Sequence, residues 1–247
     1  MGLRKWVGEK WVDIANKKAD GSYPKCGRSG GEKRKNYPKC VPLAKARSMS
    51  RGQKASAVRR KQAEKIKLDV INWSKTVLEP MNKHIGFPAC PFAAKWRKDN
   101  KVRIEVRMDK SKYEKQLTDV IKSWNKKQHD IIIYCDPFFE QYTPEQFQDK
   151  IDFYNKTYNR RDVYFMGFHP ETPADPDSEA FLCDPTEEPV EHSGLEYSMM
   201  LIQKFKQLYE ASCKLHKIGY YEKWPKEYYE EVVAERQRTY EQLNKKR

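Results

Sequence analysis

Three residues have side chains suited to covalent or acid–base chemistry and stand where chain turns are expected: Cys90, Asp136 and His169. In PACPFAAKWRK, Pro91 suits the first position of a helical turn, which would set Cys90 at a helix N-terminus, where a thiolate is stabilised. His169 closes an apolar run just before Pro170, and Asp136 closes another. If these ends meet, Cys90 and His169 make a nucleophile and base, with Asp136 orienting the imidazole. The same set could instead ligate a metal, with Asp136 or His192 completing it. Against both stands the ordinary fate of such residues: a buried, unreactive cysteine and a histidine that caps a strand.

A second pair lies near the N-terminus. YPKC occurs twice, at Tyr23–Cys26 and Tyr37–Cys40, around a loop rich in Gly, Lys and Arg. Zinc takes four ligands, commonly from two close pairs. Cys26 and Cys40 are lone cysteines with no histidine before His84, so they supply half a zinc site. They could equally be small buried residues in a core with nearby Trp and Tyr, or form a disulfide. A disulfide is disfavoured if the protein is intracellular. That setting is expected because MGLRKWVGEKW lacks the apolar run of a signal peptide and no apolar stretch is long enough to span a membrane.

Charge divides the chain. Residues 1–67 hold 20 Lys and Arg against 5 Asp and Glu, whereas 68–247 hold 29 against 30, so the net +14 comes from the first quarter. Seven Gly and Pro between residues 21 and 42 forbid a long helix there. Residues 45–67 favour a helix that is polar almost all round, which needs a partner surface or a nucleic-acid backbone. We therefore expect a basic, loop-rich module over 1–67. Its candidate phosphate contacts are Lys25, Arg28, Lys33, Arg34, Lys35, Lys39, Arg51, Arg59, Arg60 and Lys61.

Residues 68–247 read as an α/β domain, with α+β the alternative. Val70, Trp73, Val77 and Met81 mark one helical face. VRIEVRM alternates as a half-buried strand, with Arg103 exposed or site-lining, and DIIIYCD is a continuous apolar run suited to a central strand. Between them Ser111 and Glu114 predict a capping box ahead of a helix with Tyr113, Leu117 and Trp124. Thr143, Pro144 and Gln146 start another, and DVYFMGFHP is a third strand. The order β-α-β-α-β predicts a small parallel or mixed sheet covered by helices. Residues 171–191 hold eight carboxylates, four prolines and no Lys or Arg, and read as an irregular acidic loop able to dock on the basic module. Two helices, 194–218 and about 225–245, are expected to end the chain.

Two resemblances accompany these readings. Trp6, Glu9, Trp11, Val12, Asp13, then Cys26, Gly27, Arg28, then Tyr37, Pro38, Cys40 and Pro42 resemble a short uncharacterised module in proteins of bacteriophages and large DNA viruses. That resemblance implies a phage or viral context and no known activity. Over about residues 70–215, Trp73, Cys90–Ala93, Val102–Arg103 and Phe168–Pro170 look like an uncharacterised domain family of bacteria and some eukaryotes. That family tends to carry a Ser-Pro segment leading into a helix with His and Arg. Here Ser193–Gly194 leads into LEYSMMLIQKF, which has neither, so an activity that used those residues would be lost.

Three functions fit this pattern. The first is a phage or viral protein whose basic module binds DNA or RNA, in the host cytoplasm or the virion. The second is a virion or host-directed adaptor whose basic face meets an acidic protein. The third is an enzyme, Cys/His-dependent or metal-dependent, acting through Cys90, Asp136 and His169. No Gly-rich phosphate loop and no hydrolase or transferase motif is present to favour the third.

Overall fold

The computed structural model describes residues 9–27, 34, 36–83, 85–172, 195 and 197–245. Trp6, Arg28, Lys33, Lys35, His192 and residues 173–191 of the acidic stretch lie outside them. The chain falls into two units, Met1–Leu68 and Asp69–Arg247.

In the first unit β1 (Trp11–Asp13) pairs antiparallel with β2 (Cys40–Pro42), Val12 opposite Val41. Val12 also bridges Lys25, and the Cys26 amide donates to the Trp11 carbonyl. Short pairings thus replace long strands, as the density of Gly and Pro requires. These bonds bring Cys26 and Cys40 to a Cα separation of 5.8 Å, and they are joined as a disulfide. This corrects the expectation of reduced thiols and takes both sulfurs out of any zinc site. The expected single basic helix is two helices, α1 (Leu43–Ser48) and α2 (Arg51–Trp73). They divide at Ser50, which exchanges capping hydrogen bonds with Gln53. Val12, Ile14, Val41, Ala46 and Ala57 form the core.

In the second unit the expected stripe Val70–Trp73–Val77–Met81 breaks. After Trp73 the helix widens into a π turn, in which the Glu79 amide donates to the Ser74 carbonyl five residues back. The added residue rotates the face. Val70 stays buried, while Val77 is 37% and Met81 65% exposed. A small hairpin, β3 (Met81–Asn82) with β4 (Phe87–Pro88), and α3 (Ala93–Lys98) lead to the main sheet.

That sheet contains β5 (Val102–Val106), β6 (Ile131–Asp136), β7 (Tyr164–Phe168) and β8 (Ser198–Gln203) in the order β5-β6-β8-β7. β5 and β6 are parallel, and β8 runs antiparallel between β6 and β7. Helices α4 (Tyr113–Lys122) and α5 (Pro144–Tyr158) cover one face, with Leu117, Phe147 and Ile151 packed among Ile132, Phe165 and Met200. The remaining helices are α6 (Phe205–Lys217), α7 (Lys226–Tyr229) and, after a π turn over Glu230–Ala234, α8 (Glu235–Lys245). The fold is α/β with a mixed four-stranded sheet.

Two expectations are corrected here. Residues 194–218 are not one helix: SMMLIQ is β8, and the helix starts at Phe205. A short apolar run buried on both faces has no period that separates strand from helix. Ser111 and Glu114 make no capping box, because Lys112 is the N-cap and makes no side-chain cap. The Ser111 hydroxyl instead donates to Asp109, and Glu114 accepts from the Tyr154 hydroxyl. The Thr143–Gln146 capping box is present at α5.

Close packing of α5 on β7 depends on Gly167. A Cβ there would lie 2.9 Å from both Ile151 Cγ1 and Phe147 Cε1. Gly167→Ala is expected to cost about 1–3 kcal/mol through overpacking, read as a lower urea midpoint with unchanged slope. An unchanged midpoint would show that α5 can shift freely.

Candidate functional site

Each unit carries one arrangement with functional potential. In the first, Asp13 is wholly buried and gathers four donors. Its Oδ1 accepts from the Ala15 and Lys39 amides, both at 3.0 Å, and its Oδ2 from Asn16 Nδ2 at 2.8 Å and Arg34 Nη1 at 2.9 Å. Arg34 Nη2 donates to the carbonyls of Lys25 and Gly27. The Arg34 side chain is 4% exposed, so it cannot reach a phosphate. This corrects its assignment as a phosphate contact: the residue ties the Cys26 loop to β1. Charge counting cannot tell an inward arginine from an outward one.

Four of the other six assigned cations that the structure describes are exposed. Lys25, Arg51, Arg59 and Arg60 are exposed, and Lys39 and Lys61 are half-buried. Lys61 pairs with Glu64 at 3.3 Å. Arg59 lies about 200° round the helix from the buried Ala57, on the solvent side of α2. Two further lysines lie over tyrosine rings, Lys54 on Tyr23 at 5.4 Å and Lys65 on Tyr37 at 5.9 Å. Between Asp20 and Glu64 the sequence has a single acid, Glu32, so little opposes this charge locally.

In the second unit a polar row crosses the sheet where β5, β6 and β7 end. β6 register sets Asp136 opposite Ser198. Continuing the β7–β8 register by one residue sets His169 on the other side of Ser198, and continuing β5–β6 sets Arg107 beside Asp136. The order is Arg107, Asp136, Ser198, His169, and all four are at most 2% exposed. In open α/β sheets, sites gather at the carboxyl ends of strands.

The Arg107 end is fully bonded. Its Nη1 donates to Asp136 Oδ2 at 2.8 Å and to the Tyr142 hydroxyl at 2.6 Å. Its Nε donates to the Asp109 carbonyl, and Nη2 to that of Lys110. Asp136 also accepts from the Phe138 amide and the Tyr142 hydroxyl, both at 2.9 Å. Burial, with Asp136 adjacent, pushes the Tyr142 phenol up, so it remains a donor. Asp136 is therefore not the orienter of His169; Arg107, Tyr142 and a turn amide hold it.

The His169 end is open. His169 Nδ1 accepts from the Glu171 amide at 3.2 Å, and the ring packs against Phe139 and Phe147. His169 Nε2 and Ser198 Oγ are buried with no hydrogen-bond partner. Leaving such a group unpaired costs about 1–3 kcal/mol.

Cys90 belongs elsewhere. No hydrogen bond joins it to Asp136 or His169. Its amide donates to the Leu78 carbonyl, and its carbonyl accepts from Ala93 in a turn ahead of α3. The adjacent Ala89 carbonyl accepts from Tyr220, a member of the apolar cluster with Ile85 and Leu215. Burial pushes the Cys90 thiol up, the reverse of an activated thiolate. Arg103 is held on β5 by Glu105 and on α4's C-terminus by Ser123. Among the described residues, no group of three or more His, Cys, Asp or Glu is placed to hold a metal ion. Among them also, no helix is long and apolar enough to cross a membrane.

Arg107 and Ser198 escaped sequence reading. Arg107 had a signal: a carboxylate ending a central strand needs a cation, and Arg107 follows the neighbouring strand. Ser198 had almost none, being one polar residue ahead of an apolar run. No family model, curated protein or solved structure matches the chain.

Proposed function

We propose that the first unit is a nucleic-acid-binding module that grips the phosphate backbone through Lys25, Arg51, Arg59 and Arg60, within a phage or viral protein. The observation that carries this reading is the outward placement of these cations beside an inward Asp13–Arg34 pair. Among the described residues the unit's most buried acid, Asp13, is neutralised by Arg34, while Lys25, Arg51, Arg59 and Arg60 face solvent. Such a surface binds by counterion release, with affinity that falls steeply as salt rises. The resemblance of its Trp, Cys and Tyr-Pro pattern to a phage and large-DNA-virus module supports the setting in a host cell or virion.

The test uses the full chain and a labelled duplex across roughly 50 to 200 mM salt. Binding with a log–log slope of several units is expected. The rival reading, an adaptor for an acidic protein, predicts that polyglutamate of matched charge competes as well as unlabelled duplex. Flat salt dependence, or no binding at the lowest salt, would remove nucleic acid as the partner.

A further inference from the structure

The unpaired end of the polar row points to a second site, in the other unit and independent of the nucleic-acid reading. Extending the strand register makes Ser198 and His169 neighbouring residues, and Ser198 Oγ and His169 Nε2 are both buried and both without a partner. Polar atoms this deep are nearly always satisfied, so a pair of neighbours left open marks a place where something binds.

The chemistry of that something follows from what the pair can offer. His169 Nδ1 accepts from the Glu171 amide. In the neutral ring its proton is therefore on Nε2, which makes the open atom a donor. The Ser198 hydroxyl can rotate to donate beside it. The one buried cation of the row, Arg107, is already matched by Asp136, so the row has no spare charge to offer an anion. The walls next to His169 are aromatic, with Phe139 at 5.5 Å and Phe147 at 5.6 Å between ring centroids. Burying a carboxylate or phosphate there would leave it uncompensated. An uncharged carbonyl oxygen has two lone pairs and no such penalty.

We propose that Ser198 and His169 bind the uncharged carbonyl group of a small molecule, its oxygen accepting from Ser198 Oγ–H and His169 Nε2–H. Arg107, Tyr142 and Asp136 act as the rigid support that fixes the strand ends. Glu145 and Glu171 are exposed, and Glu145 is close enough to His169 to interact with it electrostatically.

The test uses the full chain labelled with 15N-histidine, with the His169 ring signals followed by NMR. The probes are N-methylacetamide, acetate and inorganic phosphate. N-methylacetamide is expected to shift the Nε2 signal with the proton retained there, and acetate and phosphate to leave it in place. In Ser198→Ala the apparent affinity is expected to fall about tenfold, the loss of one donor. Ser198→Cys fills the site with a weak donor instead of emptying it and should behave alike, which guards against misreading a poorly folded alanine variant. A His169 signal that no probe moves overturns the proposal and leaves a resident water as the partner. A response to acetate or phosphate equal to that of the amide overturns the ligand class. A response unchanged in both Ser198 variants overturns the pairing.

Discussion

Arg107→Ala is expected to destabilise the second unit by about 3–5 kcal/mol, enough to remove much of a typical domain's stability. Among the described residues the guanidinium is the only cation paired with the buried Asp136, and it also orders the Asp109–Lys110 turn through two carbonyls. Removing it leaves a carboxylate at 2% exposure with only the Tyr142 hydroxyl and the Phe138 amide. The penalty comes from the stranded charge rather than from the net value of the pair. The double variant Arg107→Met/Asp136→Leu should therefore recover much of the loss, although each change alone is damaging. Urea unfolding of the three variants checks this. A single variant losing less than about 1 kcal/mol would mean that water reaches Asp136 and that the row is not dry.

The second large effect sets charge against architecture. Asp13→Ala raises the net charge by one, so a binder that worked by charge alone would gain affinity. The expected result is the opposite. Asp13 joins β1 to the Lys39 amide, Asn16 and Arg34, and its loss breaks the buried Asp13–Arg34 ion pair. We expect a loss of about 3–5 kcal/mol for the unit and weaker duplex binding. The core there is five buried aliphatic residues, two of them alanine, which gives little reserve. Thermal melting and duplex titration at one salt concentration decide it. Tighter binding with an unchanged melt would show that the cations act without the fold.

How far the sequence revealed these features depends on the kind of signal each residue left. Alternation in VRIEV and the unbroken run IIIYC pointed to β5 and β6 because one strand is half-buried and the other wholly buried. Thr143–Pro144–Gln146 pointed to the start of α5 because capping is local chemistry. β8 was hidden because SMMLIQ is buried between two partners and its identity is set by pairing, which is not local. The π turn after Trp73 was hidden for a related reason: one extra residue in a turn changes the face without changing the composition. At the sites, Asp136 and His169 were readable as polar strand ends. The row that unites them with Ser198 required the register of a strand the sequence had disguised. Cys90 was misleading because a proline beside it suggested a helix start, whereas the helix begins at Ala93 and desolvation pushes the thiol up.

If exposed arginines of α2 hold phosphates, as proposed, the salt dependence of duplex binding must differ between the full chain and its variant Arg51→Ala/Arg59→Ala/Arg60→Ala. These side chains are exposed, so the fold should survive, and a thermal melt confirms that it does. The triple variant is expected to bind more weakly, with a log–log salt slope shallower by about 3, one for each lost contact. An equal slope and affinity in the two proteins would contradict it.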